Sequence, residues 1–181
     1  MKEVNIKWLS KSAVVVIMIA MVSGCTVLHD PKAVPIAAGV IPQIDGKGTI
    51  NLVNAQSDKE VRTLGRAGFG KLQGDLHSWT EEAVSLLGTE LKKAGLKVQL
   101  KGAKSIKVTV VEVKLGVSGI DFVASVAKGN VRIKVETGDG YVKEYSGQKN
   151  GLQPPSACEK ALTEAVSNIL KDERIVQYLS Q

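Results

Sequence analysis

Reactive side chains are few in this 181-residue sequence, and their spacing decides what chemistry each can do. The two thiols are Cys25 and Cys158. Cys158 falls in the first turn of a predicted helix, where a thiolate is favoured. It also lines up with Leu162 and Ile169, and that alignment predicts a small core residue. Gly65-Arg66-Ala67-Gly68-Phe69-Gly70-Lys71 has the G-x-x-x-x-G-K spacing of a phosphate loop, but Leu72 stands where a Ser or Thr hydroxyl would hold magnesium. The next predicted helix also starts several residues late, so the segment predicts a glycine-rich surface loop. His29 and His77 lack the compact set of further ligands that zinc needs. Glu81-Glu82 and Asp172-Glu173 are neighbours on predicted helices and point apart; in first turns they complement the helix dipole. No nucleophile, base and orienting acid assemble, and the sequence predicts a non-enzymatic chain with no cofactor and no metal.

Cys25 is different, because the residues before it are positioned for processing. Lys2, Lys7 and Lys11 stand against Glu3, and Ala13 to Val22 then run without a polar side chain. Ten apolar residues are too few to span a bilayer, which needs about 20, but they suit the core of a signal peptide. The core closes on Val22-Ser23-Gly24-Cys25, a branched aliphatic residue and two small ones before a cysteine. This is similar to the lipobox of bacterial lipoproteins. The small side chains open the backbone to a peptidase, and the thiol accepts diacylglycerol. Residues 1–24 are therefore expected to be a signal peptide and Cys25 a lipidated first residue. Two acyl chains at about 0.8 kcal/mol per buried methylene make release from the membrane negligible. Thr26 replaces the aspartate that would resemble an inner-membrane retention signal, so the expected location is the outer membrane, facing the periplasm.

From Cys25 onward the chain has 21 basic and 17 acidic side chains, a mild excess. That is well short of the concentrated basicity of a nucleic-acid binder, and no nucleic-acid partner is expected. With Cys25 acylated, Cys158 has no partner for an internal disulfide.

Residues 25–46 carry Pro31, Pro35, Pro42, Gly39 and Gly46 without periodicity, and they predict an extended tether reaching up to about 60 Å from the membrane. One domain is expected over 47–181. Thr49 to Val53 predict a strand and 56–75 an irregular loop. Ser78 with Glu81 predicts a capping box, opening a helix with Trp79, Ala83, Leu86, Leu87, Leu91 and Ala94 on one face. Gly95 suits the position after its end. Leu96 to Leu100, Ile106 to Val117 and Val131 to Val135 alternate as strands, with a bulge at Val110-Val111 where the phase reverses. Thr137-Gly138-Asp139-Gly140 predicts a hairpin turn into Tyr141 to Tyr145. Pro154-Pro155 is expected to stop that segment, Ser156 and Glu159 to box a second helix, and Asp172 to cap a short last one. The pattern β-α-β-β-β-β-α-α predicts an α+β, two-layer sandwich: a mostly antiparallel sheet of 4–5 strands with two main helices on one face.

If the apolar alternation faces the helices, the other face carries Lys97, Lys101, Lys107, Arg132, Lys134 and Lys143, with Glu136 among them. Such a face suits an anionic partner, namely lipopolysaccharide phosphates, acidic lipid or an acidic protein, or it is an ordinary solvated surface. The lipobox, the capped helix ending in Leu-Lys-Lys-Ala-Gly (91–95) and the tail Leu170-Lys171-Asp172-Glu173-Arg174-Ile175-Val176-Gln177-Tyr178-Leu179 resemble the YajG-type lipoproteins over most of 47–181. The arrangement is also similar to the lipoprotein that plugs the lipopolysaccharide translocon and to auxiliary lipoproteins of lipid transporters. The resemblance implies a small α/β body acting through binding, with no catalytic residue to carry over. The expected function is a membrane-anchored accessory or assembly factor with an envelope protein partner. The alternative is a lipid- or lipopolysaccharide-binding module using the basic face.

Overall fold

The computed structural model describes residues 26–44, 46, 48–67, 70–118 and 126–181. Among these residues eight strands form one sheet: β1 (Thr26–Leu28), β2 (Thr49–Asn54), β3 (Arg62–Ala67), β4 (Gly70–Gly74), β5 (Lys97–Val98), β6 (Lys104–Ser118), β7 (Val126–Thr137) and β8 (Val142–Gly151). Three helices among the described residues complete the α+β fold: α1 (Leu76–Lys93) between β4 and β5, then α2 (Pro154–Lys171) and α3 (Glu173–Ser180).

The sheet is mixed and larger than the mostly antiparallel one of four or five strands expected. β6 pairs antiparallel with β7, and β7 with β8. On its other edge β6 takes β2 in parallel along its first half and meets β3 in parallel at Gly65–Leu115. The physical reason is connectivity: α1 lies between β2 and β6, and a helical crossover returns the chain in its original direction. β3 and β4, absent from the predicted order, form an antiparallel hairpin in the glycine-rich stretch, and β1 adds in parallel to β4.

Between β2 and β3 the edge of β6 is open, and its polar groups are met by side chains. The Val110 amide donates to the buried Thr80 Oγ1 of α1 at 2.9 Å, and Gln56 Nε2 donates to the Val110 carbonyl at 2.8 Å. A buried amide left unpaired here would cost about 1–3 kcal/mol. The bulge expected at Val110-Val111 is present: Val110 pairs with Ile133 and Glu112 with Arg132, leaving Val111 over. The buried set accordingly changes phase from Ile106, Val108 and Val110 to Val113 and Leu115.

Both long helices bury one face against the sheet. α1 buries Trp79, Ala83, Leu87 and Leu91 completely, and α2 does so with Ala157, Ala161, Leu162, Ala165 and Ile169. The caps differ from those predicted. Asp75, not Ser78, caps α1, accepting from the Ser78 amide at 2.7 Å. Asp outcompetes because it sits before the first turn, where three amides lack partners. Pro154 and Pro155 open α2 rather than stop the strand, since a first turn needs no proline N–H. Gly95, with φ of 90°, follows α1, and its amide and that of Leu96 bond back to Lys92 and Leu91. That pair of bonds is a Schellman end, with Leu96 buried as its apolar contact. Asp172 caps α3 through the Arg174 amide at 2.9 Å, as expected.

Candidate functional site

The predicted basic face divides once its residues are placed. Lys107, Arg132 and Lys134 alternate with the buried residues of β6 and β7 and so project from the face the helices leave open. Their charge is largely met there. Lys107 bonds Glu136 at 2.8 Å, and Arg132 lies 3.6 Å from both Glu112 and Glu144. Lys134 stands opposite Glu144 in the ladder. The Lys107 hydrogen bond, with a lesser contribution from Lys134, holds the Glu136 carboxyl below the usual range. Glu112 is lowered likewise, first by its bond from Lys114 and then by Arg132. Exposed pairs of this kind add little stability; their effect is to cancel the field an anionic partner would feel. Lys97 pairs with Thr49 in the short β5, and Lys101 lies in the bend beyond it. Lys143 is on the opposite side of the sheet from this face, bonded at 2.5 Å to Asp172 between α2 and α3.

Uncompensated positive charge is found instead at the far end of the open face. Thr26 of β1 pairs with Lys71 of β4, and Lys71 with Arg66 of β3. Arg66 follows the Gly65–Leu115 pair, beside Gly116, whose partner in β7 is Lys128. Residues paired across strands share a face, so Lys71, Arg66 and Lys128 form a cross-strand row that begins at Thr26. Among the described residues none of the three has an ion pair or a side-chain hydrogen bond. The row is hidden in the sequence because Gly65 to Lys71, expected as a glycine-rich surface loop, shows no strand alternation. In the fold Gly65 is inside a sheet ladder, and α1 begins only at Leu76, so the stretch is a hairpin rather than a strand-to-helix loop. The signal that was available is that Arg66 and Lys71 lie at equal distances in sequence from Gly68 and Phe69.

The segment expected to be a free tether lies along the helices over its described residues. The His29 amide donates to the Gln73 carbonyl, and His29 Nε2 and the Lys32 amide both reach Glu159 Oε1 at 3.1 Å. The Ala33 amide donates to Glu82 at 2.7 Å. Thr163 Oγ1 accepts from the Val34 amide and donates to its carbonyl. Ile36 and Ile44 are buried in the core. Glu159 and Glu82, expected as a capping residue and as a first-turn carboxylate complementing the helix dipole, thus hold this strap between α1 and α2. Apolar residues and the amides of extended backbone drive the docking, because both find partners against the helices and β4. Open cavities of about 830 and 280 Å³ flank the strap at residues 34–46.

The remaining candidates have structural surroundings. Cys158 is fully buried, its Sγ 3.8 Å from the Lys114 carbonyl. Burial, and then the charge of Glu159, push the thiol up to about 12, away from reactivity. His77 Nδ1 bonds the Gln56 carbonyl at 2.6 Å, fastening the 55–61 loop to α1. Among the described residues no three His, Cys, Asp or Glu side chains gather to hold a metal, and no helix is long and apolar enough to cross a membrane. Val22, Ser23, Gly24 and Cys25, with the signal peptide expected over 1–24, lie outside the described residues.

An α+β domain with one helix-covered face and one open face is therefore the class this chain defines. The crystal structure of protein XCC0632 from Xanthomonas campestris, of the DUF330 family, shares this fold with a TM-score of 0.51 at 11% identity, over 84% of this chain and 95% of that one. A PelC dodecamer from Paraburkholderia phytofirmans matches at a TM-score of 0.37 and 12% identity, over 78% of this chain and 94% of that one, too distant to carry an argument. No family model matches the sequence, and no curated protein matches it.

Proposed function

We propose that the chain is an outer-membrane lipoprotein, anchored through lipid on Cys25 and facing the periplasm, that serves as a non-catalytic accessory or assembly subunit of an envelope complex. The observation that carries this reading is the junction after the lipobox-like sequence. Val22-Ser23-Gly24-Cys25 runs directly into Thr26, the first residue of β1, which is built into the sheet beside β4. An anchor joined straight to a strand holds the domain at the membrane in one orientation, an arrangement suited to a fixed subunit rather than to a roaming one. The basic start, the ten-residue apolar core and the resemblance to YajG-type lipoproteins support the same reading.

In-cell crosslinking, followed by recovery through a carboxy-terminal tag and mass spectrometry, tests it. The control keeps residues 1–46 ahead of an unrelated domain. A discrete set of envelope proteins recovered with the full chain and absent from the control is the expected result. Identical recoveries from both would overturn the accessory role.

A further inference from the structure

We propose that the outer face of the β1–β4–β3 rim lies on the phospholipid bilayer, with Lys71, Arg66 and Lys128 against anionic headgroups and Leu28 at the interface. The proposal rests on the anchor at Cys25 and adds to it a docking face and a lipid class. Adjacent strands lie about 4.8 Å apart. The backbone of Lys71 is therefore about 5 Å from that of Thr26, Arg66 about 10 Å, and Lys128, two strands further, about 20 Å. Thr26 is itself one peptide bond from the acylation site. The three cations thus occupy the patch of sheet that an anchored domain must hold closest to the membrane.

Charge distribution separates this end from the rest of the open face. At its centre Lys107, Arg132 and Lys134 face Glu136, Glu112 and Glu144, whereas the row from Lys71 to Lys128 meets no acid among the described residues. The attraction of an anionic leaflet decays within a Debye length of about 8 Å, so only cations held near the surface contribute. The anchor supplies that nearness, and each cation then strengthens contact about fivefold. Apolar exposure coincides with the charge: Leu28 is 68% exposed and shares the face of Thr26, and Val27 beside it is 52% exposed. Long basic side chains around an exposed leucine suit the headgroup layer, where charge meets phosphate and the aliphatic group meets the acyl boundary.

The test uses the full chain, purified after export and reconstituted in vesicles of phosphatidylethanolamine and phosphatidylglycerol doped with a nitroxide-headgroup lipid. Cys158→Ala removes the buried thiol, and an environment-sensitive fluorophore is attached at Leu28→Cys or, separately, at Leu100→Cys. Leu100, 92% exposed, precedes the start of β6, whereas Gly116 is near its end, about 40 Å of strand away. Quenching several times stronger at position 28 than at 100 is expected. Arg66→Glu, Lys71→Glu and Lys128→Glu together, with Tm unchanged, should erase most of that difference, and Lys101→Glu should leave it intact. Mass spectrometry of the amino-terminal peptide reads acylation in the same samples. A free Cys25 thiol overturns the anchor and the docking face together. An acylated peptide with equal quenching at both positions overturns the docking face alone, as does a difference that the triple variant leaves unchanged.

Discussion

Asp172 ends α2 and begins α3, and its carboxylate meets Lys143 of β8 at 2.5 Å and the Tyr141 hydroxyl at 3.2 Å. Burial on its own would raise this carboxyl. The Lys143 bond and the Ile175 and Arg174 amides outweigh it and bring the value down to about 2. A carboxyl depressed in the folded state stabilises the protein above its unfolded value of 3.8, and that contribution is lost as pH falls through about 2. Asp172→Asn keeps a capping side chain but removes the charge. It should cost about 1–2 kcal/mol in urea denaturation at pH 7. The difference from wild type should shrink as pH falls below 3.8 and vanish only below about 2; a cost independent of pH would show that shape, not charge, is what Asp172 supplies. Tyr178 acts beside it without charge. Its hydroxyl accepts from the Ser105 amide at 2.9 Å and donates to the Ser105 carbonyl, tying α3 to the start of β6.

Among elements, α2 lies directly against the backbone of β8, and Gly147 permits that closeness. A Cβ there would overlap the Ala161 carbonyl oxygen and come within 2.6 Å of the Ala165 amide nitrogen, both rigid backbone. Gly147→Ala should therefore destabilise by about 3 kcal/mol or more, read from the denaturation midpoint; a loss under half that would mean the helix can slide away. The helices and the long strands were legible because apolar periodicity repeats over many residues: the α1 stripe from Trp79 to Leu91, the alternation of β7, and the phase change in β6 that marks its bulge. β3 and β4 were not, since Thr63, Gly65, Arg66, Gly70, Lys71 and Gln73 offer no alternation. Their pairing comes from β6, which presents Leu115 to Gly65 from far along the chain. The strap was illegible for a related reason. Extended, proline-rich backbone reads as a tether until Glu82, Glu159 and Thr163 are brought together to bind it. The candidate site followed the same pattern: lysines on the open face could be assigned by parity, but their glutamate partners depend on strand register.

For the whole molecule, the open question of any sheet is what its edges do. β8 is the longest outer strand, and α2 closes its central part: the Gln148 amide donates to Glu164 at 2.6 Å, and Asn168 Nδ2 donates to the Ser146 carbonyl at 2.9 Å. Lys149 bonds Glu164 alongside. Replacing Glu164 and Asn168 together by Ala should expose that edge and promote self-association in sedimentation, by strand pairing between copies. A variant as monodisperse as wild type would mean the bulk of α2 alone guards the strand. At the opposite rim, among the described residues, no side chain covers the edge strand β1 in this way, and this is the rim proposed to meet the membrane.

The strap also sets an order of events. His29 and Val34 find Glu159 and Thr163 about 130 residues later. A chain that emerges amino end first has nothing to lay this segment against until nearly all of it has arrived. Contacts of such long separation form slowly. The strap is thus made early and closed late, and under the proposed anchoring at Cys25 it would stay open to processing enzymes until folding is nearly complete.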